Sequence, residues 1–102
     1  MSKYLCARTI HPGEVLKEEI EYRRITQSKL ALQMGISYKV LNDILNEHRP
    51  LSTNTAMLFE AALGVPADSL MNMQLEYNMR TAKEDKAFSR RLAHIRKMCA
   101  AL

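Results

Sequence analysis

Gly35 separates two short helical segments, and this arrangement restricts the fold more than any other feature of the 102-residue sequence. The first segment follows Thr26, a good N-cap, continues through QSKLALQM and stops at Gly35, the residue type best suited to a left-handed helix end. Ser37 can cap the second segment, which runs from Tyr38 to about Asn46. About three residues lie between the two segments, so the sequence predicts two helices joined by a tight turn.

Further helices are predicted wherever Gly, Pro and capping residues punctuate the rest of the chain. One starts at Pro12 and runs to about Arg23, and another follows Ser52 or Thr53 and ends at Gly64. A fifth starts near Ala67 or Asp68 and reaches about Arg80, and it is apolar over a wide arc. Because only 6% of residues are aromatic and Trp is absent, we expect an all-α core built from Leu, Ile, Met and Ala.

The predicted helices divide the chain into three parts. Residues 1–10 form a short N-terminal arm, residues 11–80 form the main domain, and residues 81–102 form a C-terminal basic amphipathic helix. That last helix carries a heptad-like apolar stripe, which makes it a candidate for packing on the body or for dimerisation. The stripe residues are Phe88, Leu92, Ile95 and Cys99, with Leu102 in the same register.

Charge and histidine placement restrict the function class. Residues 1–81 contain nine basic and nine acidic side chains, whereas residues 82–102 contain six and two, so the net charge of +4 belongs entirely to the tail. Overall basicity is therefore poor evidence for nucleic-acid binding by the body. The three histidines are scattered, without Cys, Ser or carboxylate partners at metal-site or acid–base spacing. We expect no enzyme activity, no metal and no cofactor.

Cellular location is predicted from the cysteines and the apolar runs. Cys6 and Cys99 lie near opposite ends of the chain without a CxxC pattern, as expected of free thiols in a reducing cytoplasm. No apolar run approaches the ~20 residues of a membrane span, and the N-terminus lacks a signal-peptide pattern. We expect a soluble cytoplasmic protein.

The segment QSKLALQMGISYKVLNDILN has the arrangement of a DNA-binding helix-turn-helix over residues 27–46. Leu30, Met34, Ile36, Leu41 and Ile44 can share one small core, which leaves a polar face on the second helix that can read bases. Residues at the start of the first helix and after the second can contact phosphates. The predicted DNA-binding residues are Gln27, Ser28, Ser37, Tyr38, Lys39, Asn42, Asp43, Asn46, His48 and Arg49. Within this face, Asn suits adenine, Lys suits guanine, and Asp suits the amino group of cytosine.

Four stretches resemble the HigA-type antitoxins, the VapI-like plasmid-maintenance branch of the Xre and phage-repressor helix-turn-helix family. They are HPGEVLKEE, TQSKLALQMGIS, NDILNEHRPLSTNTAMLFEAALG and MNMQLEY, and together they span residues 11 to about 79. The resemblance implies a five-helix lambda-repressor-like domain, homodimerisation, and autorepression through a palindromic operator. It also implies neutralisation of an mRNA-cleaving toxin.

The chain departs from the family pattern at several positions. Val40 stands where the family usually has Arg, Glu47-His48 where it has Gly-Lys, and Leu70 where it has Trp. Glu47 is expected to strain a left-handed position, and His48 removes a fixed positive charge. Two alternatives therefore stay open: a stand-alone Xre-type regulator without a toxin, or an antitoxin that acts mainly by binding its toxin.

Overall fold

The computed structural model describes residues 9–102, which contain six α-helices and no strand. The helices are α1 (Pro12–Tyr22), α2 (Gln27–Met34), α3 (Tyr38–Leu45), α4 (Thr53–Leu63), α5 (Ala67–Glu84) and α6 (Lys86–Cys99). The all-α prediction is confirmed. Cys6 and most of the predicted N-terminal arm lie outside the described residues.

Local capping chemistry sets the helix ends, largely as predicted. The side chains of Thr26, Ser37 and Ser52 accept hydrogen bonds from backbone N–H groups in the first turns of α2, α3 and α4. Gly35 and Gly64 end α2 and α4 with φ of 75° each, a conformation open to glycine without steric penalty.

Helix α5 continues beyond the predicted end at Arg80, so the expected division at residues 80 and 81 falls inside a continuous helix. The last helix begins later than expected, at Lys86. Asp85 separates α5 from α6. Its carboxylate oxygen accepts a 3.0 Å hydrogen bond from the Phe88 N–H and thereby caps α6.

One hydrophobic core joins the first five helices. Leu16, Leu41, Ala56 and Phe59 are fully buried at its centre, and α2 contributes Ala31 where it crosses α3. Burial of each large aliphatic or aromatic side chain contributes about 1.5–3 kcal/mol. This core therefore fixes the positions of α2 and α3 relative to α1, α4 and α5.

Several apolar residues of α4 and α5 are exposed. Leu58 and Ala62 of α4 face solvent, and Met57, Leu75 and Met79 expose 57%, 59% and 51% of their surface. The apolar arcs of α4 and α5 are wider than the surface that one chain can cover. The expectation that Met contributes to the core is therefore wrong for Met57 and Met79 in the single chain.

Within residues 9–102, helix α6 packs mainly against α5, and none of its own residues is buried. The radius of gyration, 17.0 Å, exceeds the ~13 Å typical of a compact domain of this length. The C-terminal helix therefore projects from the body, with Phe88 and Ile95 of its apolar stripe exposed. Among residues 9–102, no helix has both the length and the apolar character needed to cross a bilayer.

Candidate nucleic-acid interface

Helices α2 and α3 form the predicted helix-turn-helix. After Gly35, the Ile36 N–H donates 3.1 Å back to the Ala31 carbonyl, and the chain turns directly into the Ser37 cap. Leu30, Met34, Leu41 and Ile44 are buried beneath the turn. The polar face of α3 is thereby held on a rigid support rather than on a loop.

The N-terminal end of α3 is open to solvent. Tyr38 is 52% exposed and the Lys39 side chain 80% exposed, and the two lie side by side at the start of the helix. The Ser37 hydroxyl oxygen accepts from the Val40 N–H at 3.1 Å, so its lone pair already serves the cap. Val40 is half-buried and packs partly against the core.

Asp43 lies between two cations. Its carboxylate is 3.2 Å from the Lys39 ammonium group and 3.6 Å from the Arg49 guanidinium group. The hydrogen bond from Lys39 lowers the pKa of the Asp43 carboxyl below its ordinary value, with Arg49 adding to the effect. In the free protein, Asp43 therefore orients Lys39 and Arg49.

Asn42 is hydrogen-bonded to the neighbouring helix. Its side-chain nitrogen donates 3.0 Å to the side-chain oxygen of Gln27, the first residue of α2. Ser28, the next residue, is exposed at the same helix end. The first N–H groups of a helix lack intrahelical acceptors, so the start of α2 presents both side-chain and backbone donors beside α3.

Asn46 forms a second polar cluster at the other end of α3. Its side-chain nitrogen donates 2.9 Å to the Asn42 carbonyl, and its side-chain oxygen accepts 3.2 Å from the Lys17 ammonium group of α1. Lys17 was missed by the sequence analysis because 29 positions separate it from Asn46. Lys17 places a cation at this end of α3. His48, which is exposed, stands where the family usually has Lys, so Lys17 supplies a positive charge that His48 does not fix.

The segment after α3 is braced by buried polar groups. The Leu51 N–H donates 2.8 Å to the side-chain oxygen of Gln74, which is buried in α5. Gln74 also was not identified from sequence, since no pattern within α5 marks its distant partner. It fixes the segment that carries His48 and Arg49 relative to the core.

His11 braces the same segment from the N-terminal side. Its Nδ1 accepts 2.9 Å from the Gly13 N–H, and its ring meets the edge of Tyr77 at 4.9 Å. Burial lowers the pKa of His11, although the charge of Glu47 and a hydrogen bond with the Arg49 backbone act in the opposite direction. His11 is therefore the N-cap of α1.

The left-handed position expected at Glu47 is confirmed. Glu47 has φ of 64°, and the following His48 N–H donates 2.8 Å back to the Asp43 carbonyl. This pattern ends α3 in the manner that usually employs glycine. The turn is kept, with a side chain in a left-handed position.

The predicted dimerisation residues lie along one exposed helix. Phe88 and Ile95 are 41% and 44% exposed, Leu92 is half-buried, and Cys99 is an exposed free cysteine.

Residues 9–102 contain no cluster of three or more His, Cys, Asp or Glu side chains that could hold a metal ion.

Comparison with known proteins finds similarity over most of the chain. The model of the helix-turn-helix family matches residues 16–70. Virulence-associated protein I of Dichelobacter nodosus is 35% identical over 78 residues, which cover 76% of this chain and 72% of that protein. The structure of the Pseudomonas aeruginosa antitoxin HigA with the higBA promoter has a TM-score of 0.74 and 33% identity, covering 85% of this chain and 94% of that one. The structure of Pseudomonas aeruginosa PA4674 with its 18 bp operator DNA has a TM-score of 0.68 and 36% identity, covering 74% of this chain and 82% of that one.

Proposed function

The chain belongs to the Xre-type helix-turn-helix family, with HigA antitoxins among its homologues, and on that premise we propose that it is a dimeric repressor of its own promoter. Helix α3 would enter the major groove and present Tyr38, Lys39 and Asn42 to base edges. An α-helix with side chains is about 10–12 Å across, which fits a major groove about 12 Å wide.

The observation that carries this proposal is the hydrogen bond between Asn42 and Gln27 beside the exposed start of α3. An amide held by a second amide is oriented before DNA arrives, so less side-chain freedom is lost on binding. Asn42 can then donate to and accept from adenine, while Lys39 can donate to guanine.

Phosphate contacts would flank this reading face on both sides. Gln27 and Ser28 lie at the positive end of the α2 dipole, which attracts a phosphate. At and after the other end of α3, Asn46, His48 and Arg49, together with Lys17, would contact the opposite DNA strand. Because Asp43 neutralises part of this surface, we assign it to positioning Lys39 and Arg49 as well as to contact with cytosine.

The apolar stripe of α6 is the proposed dimer contact. Phe88, Leu92 and Ile95 recur at heptad-like spacing, and α5 also exposes Leu75 and Met79. Pairing of two copies through these side chains would remove apolar surface from water. A symmetric dimer would then place two α3 helices in successive major grooves, about 34 Å apart, on a palindromic operator.

Antitoxin action is the second part of the proposal. The HigA relative is named an antitoxin and was solved with the higBA promoter. By analogy, we infer that this chain acts in the cytoplasm, neutralises an mRNA-cleaving toxin and represses the operon that encodes both. The stand-alone regulator remains the alternative if no toxin partner exists.

Selection from random double-stranded DNA tests the proposal. The full chain should enrich a palindrome whose half-site centres are about 10 bp apart, and its affinity should fall linearly with the logarithm of salt concentration. A chain ending at Glu84 should sediment as a monomer and lose most of this affinity. Failure to enrich any sequence would overturn sequence-specific binding, and a truncated chain that stays dimeric would move the dimer contact away from α6.

A further inference from the structure

A groove between α2 and the C-terminal half of α4 has no role in the proposed DNA contact. It has a volume of about 740 Å³ and is open along one side. Its floor is formed by Leu30, Met34 and Leu63, and Leu58 and Ala61 line it from α4. The volume lies within the range of ligand pockets, but the open side suits an elongated segment better than an enclosed small molecule.

The charge of the groove has a single sign. Of the described residues that line it, Arg24 and Lys29 are basic and none is acidic. Neither cation forms an ion pair with any residue in the range 9–102. The nearby carboxylate of Glu60 on α4 is engaged with the Ala67 N–H at 3.0 Å. The groove therefore combines an apolar floor with two uncompensated positive charges at its rim.

The end of the groove is held in place by the backbone and by Arg23. The guanidinium of Arg23 donates 2.8 Å to the Leu63 carbonyl and joins the end of α1 to the end of α4. Arg24 follows with φ of 58°, and the Ile25 N–H donates 3.0 Å back to the Ile20 carbonyl. The Arg24 backbone is thereby fixed beside the groove, since this turn determines its conformation.

The exposed α2 rim of the groove faces away from the side of α2 that meets α3. At about 100° per residue, Lys29 and Gln33 lie roughly 200° and 240° around α2 from Gln27, which contacts Asn42. A molecule in the groove can therefore bind while α3 occupies DNA. Phosphodiester backbone is also a poor match for a floor of aliphatic side chains.

We propose that this groove binds an acidic amphipathic helix of a partner protein. The apolar face of such a helix would cover Leu58 and Ala61, and its carboxylates would pair with Arg24 and Lys29. A second copy of this chain is disfavoured as the occupant, because its exposed apolar helix carries Arg90, Arg91, Arg96 and Lys97 beside the stripe. This proposal extends the proposed function and does not depend on operator recognition.

Two designed helical peptides of about four turns test the charge match. Both carry leucines at i, i+4 and i+7, one with glutamates on the flanks and the other with lysines. With the isotope-labelled full chain, the glutamate peptide should shift amide signals of α2, α4 and the Arg24 turn, and it should bind at least ~10-fold more tightly than the lysine peptide. Equal affinity of the two peptides, binding elsewhere on the chain, or no binding below ~1 mM would overturn the proposal.

A charge-swapped variant supplies the decisive control. The double substitution Arg24→Glu and Lys29→Glu should reverse the preference, so that the lysine peptide binds more tightly, while Arg90→Glu with Arg91→Glu leaves the original preference unchanged. Far-UV circular dichroism checks the fold of each variant. If the charge-swapped variant became monomeric, the groove would be a contact between two copies of the chain. If it lost more DNA affinity than the Arg90→Glu, Arg91→Glu variant, the groove would be a phosphate site. Either result contradicts a protein partner.

Discussion

The side-chain nitrogen of Asn42 donates a 3.0 Å hydrogen bond to the side-chain oxygen of Gln27, across the crossing of α3 and α2. The two residues are 15 positions apart, and the Gly35 turn brings them together. The relationship joins a candidate base-reading group to a candidate phosphate-contacting group. Substitution of either residue should therefore affect the other.

A double-substitution cycle measures that coupling. Gln27→Ala and Asn42→Ala should each weaken binding to the selected DNA, and the double variant should lose less than the sum by about 0.5–3 kcal/mol. The reason is that Asn42 loses its orientation once Gln27 is removed. Gln33→Ala, on the opposite side of α2, is the matched control and should bind like wild type. Strict additivity of the two single losses would mean that the residues act independently on DNA.

Gly13 should tolerate no side chain. A Cβ at this position would collide with the Ile44 carbonyl oxygen, where the start of α1 packs on the backbone of α3. We expect Gly13→Ala to lower the free energy of unfolding by about 2–3 kcal/mol in urea denaturation. Gly35→Ala meets no neighbouring atom and has only its left-handed φ to oppose it, so its loss should be nearer 1 kcal/mol. A Gly13→Ala variant as stable as wild type would show that α1 and α3 do not approach this closely.

Glu47→Gly should stabilise the fold by about 0.5–1 kcal/mol. The left-handed backbone at Glu47 costs an L-residue roughly 1–2 kcal/mol, and the greater flexibility of unfolded glycine offsets part of the gain. The charge of Glu47 raises the pKa of His11, so urea denaturation is done at pH 8 to keep protonation of His11 from contributing to the difference between the variants. Glu76→Gly, in the interior of α5, should instead destabilise by about 1 kcal/mol. Equal losses for the two variants would remove the case for strain at Glu47.

His11 should make the fold less stable in mild acid. Its pKa in the folded protein lies below the ordinary value of 6.5, so the unfolded chain takes up a proton first as the pH falls. The stabilising contribution is complete above pH 6.5 and is lost as the pH falls from there through the lowered folded pKa. Protonation of Nδ1 would also remove the acceptor for the Gly13 N–H.

Urea denaturation at pH 7.5 and pH 5.5 measures this effect. His11→Asn retains a capping acceptor without titrating in this range, so the variant should lose less stability than wild type between the two pH values. His94→Asn removes an exposed histidine and should behave like wild type. A wild-type chain whose stability does not fall over this interval would contradict the buried neutral state of His11.

Local patterns predicted most of the fold, whereas long-range contacts could not be predicted. The caps at Thr26 and Ser37 and the turn at Gly35 depend on neighbouring residues, so the sequence carries them directly. The predicted end of α5 at Arg80 is wrong because the helix boundary is set by Asp85, an N-cap that lies inside the segment predicted as the last helix. The partners of Asn46 and Leu51 lie 29 and 23 positions away, and no periodicity identifies them.

The expected reading face illustrates the same limit. Exposure of Tyr38 and Lys39 follows from the helical pattern, but the pairing of Asp43 with both Lys39 and Arg49 does not. Likewise, the apolar arcs of α4 and α5 predicted more burial than one chain supplies, because a sequence pattern does not distinguish a core face from an interface.

Competition binding to the selected palindrome, with wild-type chain, Lys39→Ala and Asn42→Ala, tests the central claim most directly. Each substitution should weaken binding by more than ~1 kcal/mol while thermal unfolding stays unchanged, because both side chains are proposed to contact bases and neither belongs to the core. Lys29→Ala removes the same charge from the opposite side of α2 and should bind nearly as well as wild type. If Lys39→Ala and Asn42→Ala both bound the palindrome with wild-type affinity, α3 would not be the reading helix.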